Sequence, residues 1–223
     1  MAVAPKLEVV SVVDAVIADL RRRMFSGDLL PGAPLTEATV AATYDVARTT
    51  AKAAIESLVG ERLLVRNAHK TARVVTLDAD DVRDVYRTRA LIEGQVVRTL
   101  ADQKRVPDAA RRALEEMHAL ADADPERIVA PDMRFHRALV DALRSARTSR
   151  AYEALASEVV LCMSHVQGAA LLPTADIVSE HEEILRRIID GDAQGAATAV
   201  QDHLDRASDR LAALVESRAA DQS

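Results

Sequence analysis

From residue 78 to about residue 217 no convincing strand is found: apolar residues recur at three- and four-residue spacing, with breaks at Pro107, Pro125, Arg147-Thr148, Pro173 and Gly191-Asp192. A period near 3.6 buries its apolar residues only when the chain is helical, so this stretch must pack helix against helix. The breaks predict six helices, at about 79–104, 108–121, 126–146, 149–170, 175–190 and 193–217, with a frayed tail over 218–223. Short connections between consecutive helices make them antiparallel neighbours in a bundle. Aromatic residues are only 2% and Trp is absent, which favours helices over a sheet sandwich.

The first third of the chain is patterned differently. Val9, Val12, Val13, Val16, Ile17, Leu20 and Met24 form one amphipathic helix, ended by the turn from Gly27 to Gly32. Thr36 can cap a short helix over Glu37 to about Thr43, with Val40 and Ala41 inward. A third helix runs from about Arg48 to Leu58, and Gly60 is expected to supply its left-handed cap. Leu63-Leu64-Val65 and Arg73-Val74-Val75 then read as two short strands around the polar tip Asn67-Ala68-His69-Lys70. This order is that of a winged helix-turn-helix. The fold class is therefore mainly α: a winged helix-turn-helix with a small β-hairpin wing over residues 1–77, and a six-helix antiparallel bundle over 78–223.

Charge divides the same way. Residues 1–77 carry ten basic and eight acidic side chains, whereas the remainder carries 19 and 27. The basic excess lies on the segment that would meet DNA. No run is long and apolar enough for a membrane span, and Glu8, Asp14 and Asp19 interrupt the first twenty residues, so a signal peptide is not expected. The single cysteine, Cys162, cannot form an intrachain disulfide, which fits a reducing cytoplasm.

In a helix-turn-helix the second helix enters the major groove by its N-terminal end. Here that end presents Arg48, Thr49, Thr50 and Lys52. Arg48 can pair with a guanine edge or a phosphate, and the threonines can bind phosphate or touch a thymine methyl. The wing residues His69, Lys70 and Arg73 could reach the neighbouring minor groove or backbone. The plainer alternative is that Arg48 and Lys52 only solvate an exposed helix face.

In the bundle, Asp132 and His136 lie four apart on one face, continued by Leu139, Val140 and Leu143. His181 shares a face with Val178, Ile184, Leu185 and Ile188, and His203 with Ala199, Val200, Leu204, Ala207 and Leu211. Any one of these could be a hydrogen-bonded core histidine. Three histidines and a carboxylate directed into one bundle instead suit a divalent transition metal such as Zn²⁺, Ni²⁺, Mn²⁺ or Fe²⁺. Arg89 lies on the apolar stripe of the first bundle helix, where a guanidinium needs an anionic partner. Glu93, one turn later, could be that partner; alternatively Arg89 clamps the carboxylate of a small ligand, with Tyr86, Glu93 and His165 as further candidate lining residues.

Residues 9–77 resemble the DNA-binding domain of the GntR family, through Pro31-Gly32, Leu35-Thr36-Glu37, Val46-Ala47-Arg48-Thr49-Thr50, Lys52-Ala53-Ala54-Ile55, Leu58 and Glu61-Arg62-Leu63-Leu64. Ala47 stands where that family has serine, Ala38 where an arginine is common, and the wing lacks the usual glycines, so fewer phosphate contacts are expected. Residues 78–217 resemble the ligand-binding domain of its FadR-type branch, through Arg89-Ala90-Leu91-Ile92-Glu93, Asp132-Met133-Arg134-Phe135-His136, Glu180-His181-Glu182-Glu183-Ile184, Asp192 and His203-Leu204. Six rather than seven helices are similar to the VanR-like subgroup.

The resemblance implies a metal held by Asp132, His136, His181 and His203, and an effector facing Arg89. It also implies a cytoplasmic repressor, homodimeric on a palindromic operator in double-stranded DNA, that responds to a small carboxylate. Two other readings are a helical hydrolase and a sensor of the metal itself. Glu180 and Glu182 flank His181 but should point away from its face, leaving the hydrolase without a general base, and a pure metal sensor has no use for Arg89.

Overall fold

A computed structural model describes residues 11–66, 71–120, 125–165 and 173–221. Two compact units divide the chain, Met1–Thr76 and Leu77–Ser223.

The first unit is a winged helix. Helix α1 (Val12–Phe25) is capped by Ser11, whose Oγ accepts the Asp14 N–H, and it buries Val16, Ile17, Leu20 and Met24. Val12, expected on this stripe, is instead 60% exposed. Helix α2 (Glu37–Tyr44) starts in a capping box in which Thr36 and Thr39 satisfy each other's backbone N–H. Asp45 closes it with a left-handed φ of 50°, and α3 (Arg48–Gly60) begins three residues later. Polar side chains fix α1 to both of the following helices. Tyr44 donates to Asp19 at 2.7 Å, and Arg21 pairs with Glu61 at 2.6 Å.

Two expectations about this unit are corrected. Gly60 is the last helical residue and not the left-handed cap, a role taken by Arg62 with φ 64°. The Leu63 N–H reaches back to the Leu58 carbonyl and the Arg62 N–H to that of Val59, so the turn closes two residues beyond where the glycine would close it. The wing is also larger than a hairpin. Strand β1 (Pro34–Leu35) adds to β2 (Leu64–Val65) and β3 (Ala72–Val74), giving an antiparallel sheet of order β1-β3-β2. Two residues, one of them a proline, carry too little alternation to read as a strand.

The second unit contains six α-helices among the described residues: α4 (Ala79–Asp102), α5 (Asp108–Ala119), α6 (Val129–Asp141), α7 (Ala146–His165), α8 (Thr174–Asp190) and α9 (Ala193–Asp221). Asp78 and Asp81 form a second capping box at the start of α4, and the acidic first turn suits the helix dipole. The segment expected as a helix over 126–146 is shorter. It opens with a 3-10 turn, Pro125–Ile128, and ends where the Leu143 and Arg144 N–H groups fold back to Val140 and Asp141, Arg144 taking φ 54°. Helix α9 continues to Asp221, past the expected fraying point.

Between α8 and α9, Gly191 has φ 78°, and a Cβ there would lie 2.8 Å from Lys104 Cε. The left-handed φ favours glycine here, since any side chain would be strained and would also have to displace the end of Lys104. Asp192 accepts the Gly195 N–H at the start of α9, so the chain reverses within two residues and packs the two helices side by side. The core of the unit is built around Phe135, Leu100, Leu139, Tyr152, Ile184 and Val200. Among the described residues no helix is long and apolar enough to cross a membrane.

Candidate metal centre

Asp132 and His136 come from α6, His181 from the middle of α8 and His203 from α9, and one ligand atom from each lies within 4.8 Å of all the others. The i,i+4 spacing puts the first two on one face. The tight turn at Gly191 brings α9 back along α8, so that the His181 and His203 rings meet at 4.7 Å. Phe135, fully buried, sets its ring edgewise against His181 at 4.4 Å and against His136 at 5.5 Å. The three imidazoles are buried and Asp132 is nearly so.

Each imidazole has one nitrogen engaged outside the cluster. His136 Nδ1 lies 2.5 Å from Glu93 Oε2, His203 Nδ1 2.7 Å from Glu180 Oε2, and His181 Nδ1 2.7 Å from the Ile177 carbonyl. All three partners are acceptors, so the protons belong on Nδ1 and the Nε2 lone pairs face inward. His136 Nε2 and His203 Nε2 stand 3.1 Å apart; with both rings protonated at Nδ1 their lone pairs face each other, and a proton or a metal ion between them would relieve the repulsion. His181 Nε2 is buried 3.1 Å from Asp132 Oδ1. A tetrahedral zinc with bonds of about 2.0–2.1 Å spaces its donors by about 3.3 Å; here His136–His203 and His181–Asp132 stand at 3.1 Å and His136–Asp132 at 3.8 Å. Three nitrogens and one carboxylate oxygen fit a borderline divalent transition metal.

The electrostatics agree with that donor set. Burial opposes charge on Asp132, but His181 beside it, and the charge that His136, His181 and His203 carry when protonated, hold its pKa well below the usual carboxylate value. Burial pushes His203 down to about 4, against the pull of Glu180, so it is neutral at pH 7 with its lone pair available.

Arg89 is 1% exposed on α4, with its Nε 2.9 Å from Glu93 Oε1. Tyr152 OH donates to the same oxygen at 2.8 Å. The guanidinium carbon lies 5.1 Å from the Tyr86 ring centre and 5.9 Å from that of Tyr152. Arg89 Nη2 is buried and has no hydrogen-bond partner. Burial works against its charge, yet the Tyr152 oxygen and Glu93 raise its pKa above the ordinary arginine value. Tyr86, Arg89 and Glu93 are thus brought together. His165 is the last residue of α7, and its side chain lies outside the described residues.

Two contributors escaped the sequence. Tyr152 and Glu180 hold Glu93 and His203 from neighbouring helices, and periodicity within one helix cannot reveal a partner on another. Glu180 does point away from the His181 face, toward His203, while Glu182 pairs with His118 at 2.9 Å.

In the winged helix, Arg48, Thr49 and Lys52 are exposed on the first turns of α3 and Thr50 is half-buried. Ala47 at the N-cap makes no side-chain hydrogen bond, leaving the first N–H groups of α3 open to an anion. Lys52 stands 3.7 Å from Glu56. Arg73 belongs to β3 and donates to the Gly32 carbonyl at 2.8 Å, so it braces the turn before β1. His69 and Lys70 lie outside the described residues.

Comparison with known proteins places these two sites in one context. Residues 12–74 match the family model described as bacterial regulatory proteins, gntR family, and residues 84–206 match the FCD domain. The chain is 28% identical over 180 residues to the "Probable D-xylose utilization operon transcriptional repressor" of Paenarthrobacter nicotinovorans, across 80% of this chain and 79% of that protein. Among solved structures, a GntR transcriptional regulator from Rhodococcus sp. RHA1 aligns with TM-score 0.75 at 23% identity, covering 91% of this chain and 98% of the other. E. coli McbR/YncC aligns with TM-score 0.73 at 19% identity, covering 94% and 100%. At these identities the structures share the fold.

Proposed function

This chain belongs to the GntR family of DNA-binding transcriptional regulators and carries an FCD domain; from that premise we propose that it is a repressor controlled by a small organic acid. In this reading a homodimer sits on a palindromic operator. Asp132, His136, His181 and His203 hold a divalent transition metal, which supplies a Lewis-acidic position for a ligand oxygen when bound. Arg89 takes the ligand's carboxylate. The family and the relatives are transcriptional regulators, not enzymes.

The observation that carries the effector assignment is the buried, unpartnered Nη2 of Arg89. A buried guanidinium nitrogen without an acceptor costs about 1–3 kcal/mol, which an incoming carboxylate would recover through a charge-assisted bond. The repressor named for D-xylose utilization is a relative at 28% identity, and its sugar is not carried over here. A neutral sugar brings no charge to match Arg89.

Arg89 lies on α4, the first helix after the unit boundary at Thr76–Leu77. A ligand that repacks α4 against α6 and α7 would act on the segment leading directly to the DNA-binding unit. In a dimer this would re-space two recognition helices that must fit adjacent major grooves. The shift is limited by the ligand's differential affinity for the two forms.

The test is fluorescence anisotropy on DNA from upstream of the protein's own gene, with a panel of organic acids. The protein should bind at low salt, and at least one acid should change the affinity of wild type but not of Arg89→Ala. An equal response in both proteins would remove the clamp from the account.

A further inference from the structure

Glu93 divides its carboxylate between the two halves of the site. Oε1 receives Arg89 Nε at 2.9 Å and Tyr152 OH at 2.8 Å, while Oε2 lies 2.5 Å from His136 Nδ1. The carboxylate is 0% exposed, so water cannot replace any of these bonds. Were Glu93 present only to neutralise Arg89, the expected geometry would be a bidentate fork onto the guanidinium. Instead Arg89 keeps one contact through Nε, its Nη2 is left unpartnered, and the second carboxylate oxygen is turned to a histidine on α6.

We propose that Glu93 is a positioning residue that couples the anion clamp to the metal centre, so that metal and carboxylate each strengthen binding of the other. This rests on the reading of Asp132, His136, His181 and His203 as metal ligands. Arg89 and Tyr152 compete with His136 for the electron density of one carboxylate. Whatever draws them away leaves Glu93 free to pull harder on the His136 Nδ1–H, and a more strongly polarised imidazole is a better donor at Nε2. An anion on Arg89 does this by taking up part of the guanidinium's charge. By reciprocity, a His136 whose Nε2 held a metal would draw Glu93 toward its Nδ1–H, and Arg89 would be freer to take the anion.

The test needs only the metal. Zn²⁺ affinity of the full chain is measured by competition with a chromophoric chelator for wild type, Glu93→Gln, Arg89→Gln, Tyr152→Phe and the Arg89→Gln/Glu93→Gln pair. Glu93→Gln should weaken Zn²⁺ binding by about 10–100-fold, the range for loss of a partner behind a histidine ligand. Arg89→Gln and Tyr152→Phe should tighten it, and the double variant should match Glu93→Gln alone, since without the carboxylate Arg89 has nothing to act through. A purely structural role predicts that every variant weakens binding or leaves it unchanged. Unchanged or weaker binding in both Arg89→Gln and Tyr152→Phe therefore overturns the coupling. Should Arg89→Gln fail to fold, Tyr152→Phe, which removes only a hydroxyl, decides the matter. Wild type that binds no Zn²⁺ would overturn the metal-centre reading itself, a result distinct from failure of the coupling alone.

Discussion

His136 Nε2 and His203 Nε2 face each other across 3.1 Å while both Nδ1 atoms are committed to carboxylates, Glu93 and Glu180. Two buried lone pairs so placed repel unless something positive lies between them. Metal should therefore stabilise the helical unit strongly. At a free metal concentration of about 100 times Kd the gain is about 2.7 kcal/mol, or about 5–10 °C in Tm for a unit of this size. Thermal melts with and without a chelator should differ by that amount in wild type and hardly at all in His136→Ala.

The metal-free protein should also be sensitive to mild acid. Burial places the folded-state pKa of His203 at about 4, below its ordinary value of 6.5, so unfolded chains bind the proton first. The stability contributed by the neutral ring is present above pH 6.5 and is lost as the pH falls toward 4. Glu93, whose buried carboxylate is held down to about 2 by His136 and Arg89, stays charged through this window. Melts of metal-free protein between pH 7 and pH 4 should show a falling Tm, and His203→Gln should flatten the profile.

Arg62 pays a conformational cost that glycine would avoid. Its φ of 64° lies in the left-handed region, where a residue with a Cβ is disfavoured by about 1–2 kcal/mol. Arg62→Gly should stabilise the winged helix by about 0.5–1 kcal/mol, after the extra freedom of glycine in the unfolded chain is subtracted. Urea titration would read the change.

No side chain among the described residues pairs with Arg48, which projects from the first turn of α3 beside an uncapped N-terminus. Arg48→Ala should weaken operator binding by about 1–3 kcal/mol and relax base preference at one position of each half-site. Lys52→Ala, which removes a charge already shared with Glu56 at 3.7 Å, should do less and act mainly on the salt dependence. Anisotropy against single-base operator variants at two salt concentrations separates the two effects.

The helix count and the inward orientation of the four candidate ligands were readable because each rests on spacing within one element. Asp132 and His136 share a face by their four-residue separation, and the apolar neighbours of His181 and His203 turn both rings inward. What was not readable depends on contacts between elements. Tyr152 and Glu180 sit on their own helices like ordinary polar residues, and only packing shows that one braces Glu93 and the other His203. Strand β1 exists because its two residues hydrogen-bond to β3, not because of any pattern of their own. The Gly60 cap was misplaced for a related reason. Glu61, held by Arg21 and Ser57, lies between, and the left-handed position falls two residues further on, at Arg62.

The metal content of the purified protein tests the account most directly. Wild type prepared without chelators, or reloaded with Zn²⁺, Ni²⁺, Mn²⁺ or Fe²⁺, should carry about one equivalent of a divalent metal per chain by elemental analysis, and His136→Ala and His203→Ala should carry almost none. A wild-type protein that stays metal-free after reloading, or variants that retain the metal in full, would contradict it.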